Sequence, residues 1–114
     1  MNNQNIPIVF VPQRNPRIDY SSAMEYGSLH YIFDHGDYNH ASQLYVDKLH
    51  STLKENFQSG DYLLLVGDPV LIGLCFSAMS QMTNGREVNC LKWDKAKNAY
   101  YPIKLINLNI EMES

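Results

Sequence analysis

Apolar residues along this chain alternate between two kinds of spacing, and the alternation predicts an α/β fold. Strand-like runs rich in β-branched and aromatic residues occur at residues 6–11, 28–33, 62–66, 88–93 and 100–108. Helix-like segments occur between them, at residues 20–26, 39–57 and 69–81. This order predicts a mixed, mostly parallel sheet of about five strands, with helices on its faces and a C-terminal β-hairpin.

The segment Asp61-Tyr62-Leu63-Leu64-Leu65-Val66-Gly67-Asp68-Pro69 gives the strongest single prediction. Its unbroken apolar run predicts a central parallel strand that is covered on both faces. Asp68 is then the expected N-cap of the next helix, and Pro69 its first residue. The helix over residues 69–81 is apolar nearly all round, so we expect it to be buried. A chain of this size has too few other elements to bury every side of such a helix, so part of the helix is predicted to contact a second copy of the chain. Gly73 would let the partner approach the helix closely.

The other boundaries follow from local residue types. Pro12 is predicted to end the first strand, and Gly27 to end a short helix over residues 20–26 in the left-handed conformation. Gly60 is the expected C-terminal stop of the helix over residues 39–57. The buried stripe predicted for that helix contains Ala41, Leu44, Tyr45, Leu49, Leu53 and Phe57.

The length of 114 residues predicts one domain over residues 1–114, with frayed ends at residues 1–5 and 109–114. The net charge of -3 argues against a nucleic-acid partner, because such proteins carry a basic excess. Only 18% of the residues are charged and 8 are tyrosine, which favours self-association. The polar N-terminus is not a signal peptide and no apolar run spans a bilayer, so we expect a cytoplasmic protein without membrane contact.

Two groups of residues are candidates for ligand binding. Arg14, Arg17, Ser21 and Ser22 follow the first strand, where guanidinium groups and hydroxyls suit a phosphate or carboxylate. If the first and third strands are parallel, this loop lies beside Asp68 on one edge of the sheet. There Asp68 would bind a hydroxyl or amine, and Tyr20 with Tyr26 would form the pocket wall. The alternatives are a solvated loop and a purely structural N-cap.

Other chemistry is weakly indicated. Asp34, His35, Asp37 and His40 crowd one turn, but their spacing fits no metal site, and a plain turn explains them better. No catalytic constellation, metal or cofactor is predicted. Cys75 and Cys90 occur in apolar runs, where burial is expected to raise the thiol pKa. Trp93 with Tyr100 and Tyr101 would make a platform for a base, although cross-strand packing is the ordinary explanation.

Three segments together resemble a group of short uncharacterised bacteriophage proteins. They are Tyr20-Ser21-Ser22-Ala23 with Tyr26-Gly27, the segment over residues 61–69, and Leu91-Lys92-Trp93-Asp94 with Tyr101-Pro102-Ile103. The resemblance covers most of the chain, and the Leu-Lys-Trp-Asp hairpin is its most specific part. It implies action inside an infected bacterium as an accessory or counter-defence factor, and it assigns no functional residue. The polar N-terminus and the histidine-rich turn are outside the pattern.

The leading hypothesis is a non-enzymatic, homo-oligomeric protein that binds a small anionic ligand, such as a nucleotide, or a host protein. Arg14, Arg17, Ser21 and Ser22 would take the anion. One alternative is an interaction module with no small-molecule site. A second alternative is a small hydrolase or transferase that uses Asp68 or the histidine-rich turn.

Overall fold

The computed structural model describes residues 6–36, 42–106 and 108. Its elements in chain order are β1 (Ile8–Gln13), a 3₁₀ turn (Ala23–Glu25), β2 (Ser28–Phe33), α1 (Gln43–Asn56), β3 (Tyr62–Leu64), α2 (Pro69–Met82), β4 (Glu87–Asp94) and β5 (Ala99–Ile106). The predicted frayed ends, and Asp37, His40 and Ala41 of the predicted turn and helix, lie outside the described residues.

The five strands form one sheet in the order β2-β1-β3-β4-β5. The first four strands of this order are parallel, and β5 pairs with β4 in the antiparallel direction. One register row crosses the whole sheet and contains His30, Phe10, Leu63, Cys90 and Ile103. The predicted mixed, mostly parallel sheet with a C-terminal hairpin is therefore confirmed, and β3 is central as expected.

Each face of the sheet is covered by different elements. Phe10, Leu63 and Cys90 point toward α1 and α2, whose buried residues include Leu53 and Cys75. The opposite face is covered by the connection between β1 and β2 and its 3₁₀ turn. There the buried residues are Val9, Val11, Tyr20, Ala23, Leu64, Leu91 and Tyr100. Alternate residues of one strand thus serve two cores.

The start of the structure departs from the prediction. β1 continues through Pro12 to Gln13 instead of ending at Pro12. Proline is tolerated there because the last pair of the β1–β3 ladder is Phe10 with Leu63. Gly27 was predicted to be left-handed, but it is not among the glycines with positive φ. A Cβ at Gly27 would lie only 2.2 Å from the carbonyl oxygen of Pro7, so close backbone approach explains this glycine.

All three predicted helices differ from the prediction in length or in burial. The helix predicted over residues 20–26 is a single 3₁₀ turn, Ala23–Glu25. So short a segment forms too few hydrogen bonds to offset the cost of starting an α-helix. α1 ends at Asn56, so Gly60 lies beyond its end, in the turn before β3. Leu44 is 73% exposed and does not belong to the buried stripe. On α2, Val70 is 47% exposed, so this helix is not buried on most of its surface.

Candidate functional site

The carboxyl ends of β1 and β3 border a crevice where the order of the strands reverses. The chain leaves β1 toward β2, whereas β3 lies on the other side of β1. Open α/β sheets bind ligands at such points because the two connections diverge there. We call this cavity the switch-point crevice. It has a volume of about 490 Å³, and its lining includes Gln13, Arg14, Ile18, His35, Gly67 and Asp68.

Gly67 shapes the floor of the switch-point crevice. Its φ of 118° lies in a region that side chains rarely adopt. A Cβ added at Gly67 would lie 3.4 Å from the Cβ of Gln13, so a larger residue would also narrow the space between β1 and β3. The turn therefore depends on glycine both for its backbone conformation and for the room above it.

Asp68 begins α2 as its N-cap, as predicted. Its Oδ1 accepts a hydrogen bond of 2.8 Å from the backbone amide of Val70, and Pro69 follows as the first helical residue. Within the described residues, Oδ2 of Asp68 accepts no hydrogen bond from the protein. The negative charge of this carboxylate offsets the partial positive charge at the N-terminus of α2, so α2 alone is a poor phosphate site. An anion bound here needs another positive group.

Arg14 supplies such a group. Its backbone amide donates to the carbonyl of Phe33 at 2.8 Å, which fixes the chain as it leaves β1. Its guanidinium carbon lies 5.7 Å from the ring centroid of Tyr31. In the described part of the chain the one ion pair is Lys104 with Glu87, so no carboxylate neutralises Arg14 there.

A second cavity adjoins the switch-point crevice, since Ile18 and Val66 line both. We call it the hairpin cavity, because one side of it belongs to β4, β5 and their connecting loop. It has a volume of about 500 Å³. Its lining includes Arg17, Ser21, Ser22, Trp93, Asn98 and Tyr100.

The wall of the hairpin cavity is formed by contacts between distant segments. Ser22 Oγ accepts a hydrogen bond of 3.1 Å from the backbone amide of Tyr100, which ties the β1–β2 connection to β5. Trp93 and Tyr100 are register partners, and their rings meet edge to face with centroids 4.9 Å apart. The predicted cross-strand packing is thus confirmed, yet Trp93 remains 37% exposed in the cavity wall.

Asp19 places a negative charge beside Arg17 in the hairpin cavity. Its Oδ1 accepts a hydrogen bond of 2.9 Å from the amide of Ser21. Backbone and then side-chain hydrogen bonding from Ser21 lowers the pKa of the Asp19 carboxyl below its usual value. The cavity therefore contains one charge of each sign and suits a ligand that carries hydroxyl or amino groups as well as an anionic group.

The two tyrosines considered as pocket walls differ, since Tyr20 lines a third cavity of about 320 Å³ with Arg14 and Ser21, whereas Tyr26 is not part of its lining. Tyr20 is buried, and its hydroxyl accepts a hydrogen bond of 2.9 Å from the amide of Asn15. Burial is the main cause that raises the pKa of Tyr20. Tyr20 therefore shapes the loop that carries Arg14 and Arg17. Tyr26 packs against Tyr62, near the amino end of β3, and lines neither cavity.

The structure thus places most of the candidate residues in two adjoining cavities, and Arg14 and Ser21 also line the third. Arg14 and Asp68 share the switch-point crevice, whereas Arg17, Ser21 and Ser22 line the hairpin cavity. Sequence reasoning missed Asn98, which has a φ of 54° at the end of the hairpin loop. An asparagine directly before a strand is a signal for a left-handed residue and could have drawn attention to it.

Other sites are less suitable. A cavity of about 560 Å³ lies at the opposite edge of the sheet and includes Lys54 and Arg86, but Arg86 Nε already donates to the carbonyl of Thr83. Within residues 6–36, 42–106 and 108, no three His, Cys, Asp or Glu side chains form a group able to hold a metal ion. As predicted, burial raises the pKa of the Cys75 thiol to about 12 and that of the Cys90 thiol to about 11.

Comparison with known proteins identifies a family. Neither helix in the described part of the chain has the length and apolar character needed to cross a bilayer. No curated protein and no solved structure matches the chain. The family model for Phage Pam3 gp32-like protein matches residues 7–107, which is most of the chain. The resemblance to short bacteriophage proteins is confirmed by this match, and the chain belongs to the Phage Pam3 gp32-like protein family, a family of uncharacterised phage proteins.

Proposed function

We propose that this phage protein is a non-enzymatic accessory factor that binds a small anionic ligand in the cytoplasm of the infected cell. The observation that carries the proposal is the position of Arg14 and Arg17. Each lines one of two adjoining cavities at the carboxyl edge of the sheet, and neither is paired with a carboxylate in the described ranges. Sites of this size and place are where α/β proteins hold small ligands.

Different residues bind different parts of the ligand. The guanidinium group of Arg14 holds the anionic group by charge-assisted hydrogen bonds. Arg17, which lines the adjoining cavity with Ser21, attracts the same anion over a longer distance. Asp68, whose Oδ1 caps α2, accepts from a hydroxyl or amine through Oδ2. Binding without turnover is sufficient for a factor that removes a signal or blocks a host component. Counter-defence is one role of that kind.

Calorimetric titration with pyrophosphate and with AMP tests this proposal. Arg14→Gln should weaken binding by about 1.5–3 kcal/mol, the range for a hydrogen bond to a charged group, and Arg17→Gln should weaken it by less. Arg86→Gln is the matched control, because it removes the same charge at the opposite edge of the sheet. Equal losses in all three variants would indicate a general charge effect and would contradict the proposed site. Recovery of unchanged AMP after incubation distinguishes a binder from a hydrolase or transferase.

Exposed apolar side chains support self-association, or the alternative of an interaction module for a host protein. Val70 on α2 is one of them, and Leu105 and Ile106 on the edge strand β5 are others. Pro102 lies in the same strand, as expected of an edge. Light scattering of the parent, Val70→Glu and Leu105→Glu measures the native mass. A monomeric parent would exclude the homo-oligomer, and unchanged oligomers in both variants would exclude these surfaces.

A further inference from the structure

We infer that the ligand is a nucleoside phosphate whose base lies in the hairpin cavity against Trp93 and whose phosphate lies in the switch-point crevice at Arg14. This inference rests on the proposed function and names the class of ligand. It follows from the different chemistry of two cavities that share one boundary, formed by Ile18 and Val66.

Trp93 gives the hairpin cavity a surface suited to a flat heteroaromatic ring. The planes of Trp93 and Tyr100 meet at 70°, so edge-to-face packing with Tyr100 fixes the indole while part of it stays exposed. Aromatic side chains of this kind bind nucleobases by stacking, because every base has a π face. An inorganic anion has no π face and would gain no stacking energy from Trp93.

Asn98 adds polar recognition beside that surface. The hairpin loop is held by Asp94, whose Oδ1 accepts from the amides of Ala96 and Lys97 at 3.0 and 3.4 Å. Asn98 ends the loop and lines the same cavity as Trp93. A carboxamide both donates and accepts hydrogen bonds, which matches the mixed edge of a nucleobase.

The boundary between the cavities fits the sugar of such a ligand. Ile18 and Val66 are apolar, and each of the two cavities that they share has one carboxylate in its lining, Asp19 in the hairpin cavity and Asp68 in the switch-point crevice. Carboxylates accept hydrogen bonds from ribose hydroxyls but repel phosphate. Because the base occupies the hairpin cavity, the phosphate is assigned to the switch-point crevice, where Arg14 offsets the charge of Asp68. The cavities of about 500 and 490 Å³ have the size of small-molecule sites.

The test uses the fact that Trp93 is the single tryptophan of the chain. AMP, GMP, CMP and UMP are titrated by fluorescence and calorimetry, with ribose 5-phosphate, adenosine and pyrophosphate as partial ligands. At least one nucleotide should change Trp93 fluorescence saturably and bind at least tenfold more tightly than ribose 5-phosphate. In calorimetry, Trp93→Leu should weaken the binding of that nucleotide tenfold or more and change the affinity for ribose 5-phosphate by less than twofold.

Three further variants keep the test independent of folding. Trp93→Phe retains an aromatic ring and should keep most of the affinity for the nucleotide. Asn98→Gly retains the left-handed backbone but removes the side-chain carboxamide, so it should weaken the binding of the nucleotide severalfold. Tyr101→Leu is the aromatic control, because Tyr101 alternates with Tyr100 along β5 and so faces the other side of the sheet. Its binding should equal that of the parent.

The outcomes separate this inference from the proposed function. If pyrophosphate binds as tightly as every nucleotide and Arg14→Gln weakens it, while Trp93→Leu does not affect the nucleotides, the anion site stands and the inference is wrong. If none of the probes binds, the proposed function and the inference both fail. A loss of nucleotide binding in Tyr101→Leu equal to that in Trp93→Leu would also overturn the inference.

Discussion

The hydroxyl oxygen of Ser22 accepts a hydrogen bond from the backbone amide of Tyr100, although 78 residues separate them in sequence. Ser22 lies in the connection after β1, and Tyr100 lies in the edge strand β5. The bond joins the first connection of the chain to its last strand across β3 and β4. It satisfies an edge amide and closes one side of the hairpin cavity, so the candidate site depends on the fold of the whole chain.

Ser22→Ala should therefore destabilise the hairpin side of the protein. The variant leaves the Tyr100 amide without its acceptor, and we expect a loss of about 1 kcal/mol in the free energy of unfolding measured with urea. Hydrogen exchange of the Tyr100 amide should accelerate. Ser22→Thr keeps the hydroxyl and should behave like the parent. An unchanged exchange rate in Ser22→Ala would show that this bond is not formed in solution.

Asp61 is a second residue whose change should have a structural effect. It is 6% exposed, and its two carboxylate oxygens accept from the amides of Ile8 and Gln58 at 2.9 and 2.8 Å. Asp61→Asn turns one acceptor into a donor that faces another donor, so we expect a loss of about 1–3 kcal/mol in urea unfolding. The exposed Asp34→Asn is the control and should change stability little. Equal stability of the two variants would contradict the role of Asp61.

Gly67 and Gly73 offer a matched pair of glycine-to-alanine changes. Gly67→Ala forces a side chain into a φ of 118° and should cost about 1–3 kcal/mol, with weaker ligand binding because the crevice narrows. A Cβ at Gly73 meets nothing within 4 Å, so Gly73→Ala should stabilise α2 by about 0.5–1 kcal/mol. A destabilised Gly73→Ala variant would instead indicate that a partner approaches this residue closely.

Alkaline pH should destabilise the protein because of its buried groups. The pKa values of Cys75 and Tyr100 are about 12 in the folded protein, and that of Cys90 is about 11, in each case because burial disfavours the charged form. The ordinary values are 9.0 for the thiols and 10.0 for tyrosine, so the unfolded chain releases these protons first. Stability is then full below about pH 9 and falls as pH rises toward 12.

Urea midpoints at pH 7, 9 and 10.5 measure this effect. The midpoint should be similar at pH 7 and 9 and lower at pH 10.5, and Cys75→Ala should show a smaller decrease than the parent. A midpoint that stays constant or rises to pH 10.5 would mean that the thiols ionise as easily in the folded protein as in the unfolded chain.

Local signals in the sequence predicted much of the fold. The bounds of β2 and the cap of α2 by Asp68 and Pro69 agree with the structure, because each has a clear signal in the local residue types. The extension of β1 through Pro12 could not be predicted, since it depends on the pairing of Gln13 with Phe33 in β2 and on the end of the β1–β3 ladder at Phe10. The reduction of residues 20–26 to one 3₁₀ turn had no clear local signal either.

Only the part of the candidate site that follows from strand direction could be predicted from the sequence. Parallel β1 and β3 bring Arg14 to Asp68, as the sequence suggested. The hairpin cavity was not predictable, because it depends on the contact between Ser22 and Tyr100 at long range. No periodicity or motif reports such a contact.

The most direct test of the central claim is a titration of ¹⁵N-labelled protein with pyrophosphate, followed by amide chemical shifts. We predict that the amides of Arg14, Ile18 and Gly67 move, because they border the switch-point crevice. The amides of Gly85 and Arg86, at the opposite edge, should stay unchanged. Shifts confined to the opposite edge, or none at millimolar pyrophosphate, would contradict an anion site between β1 and β3.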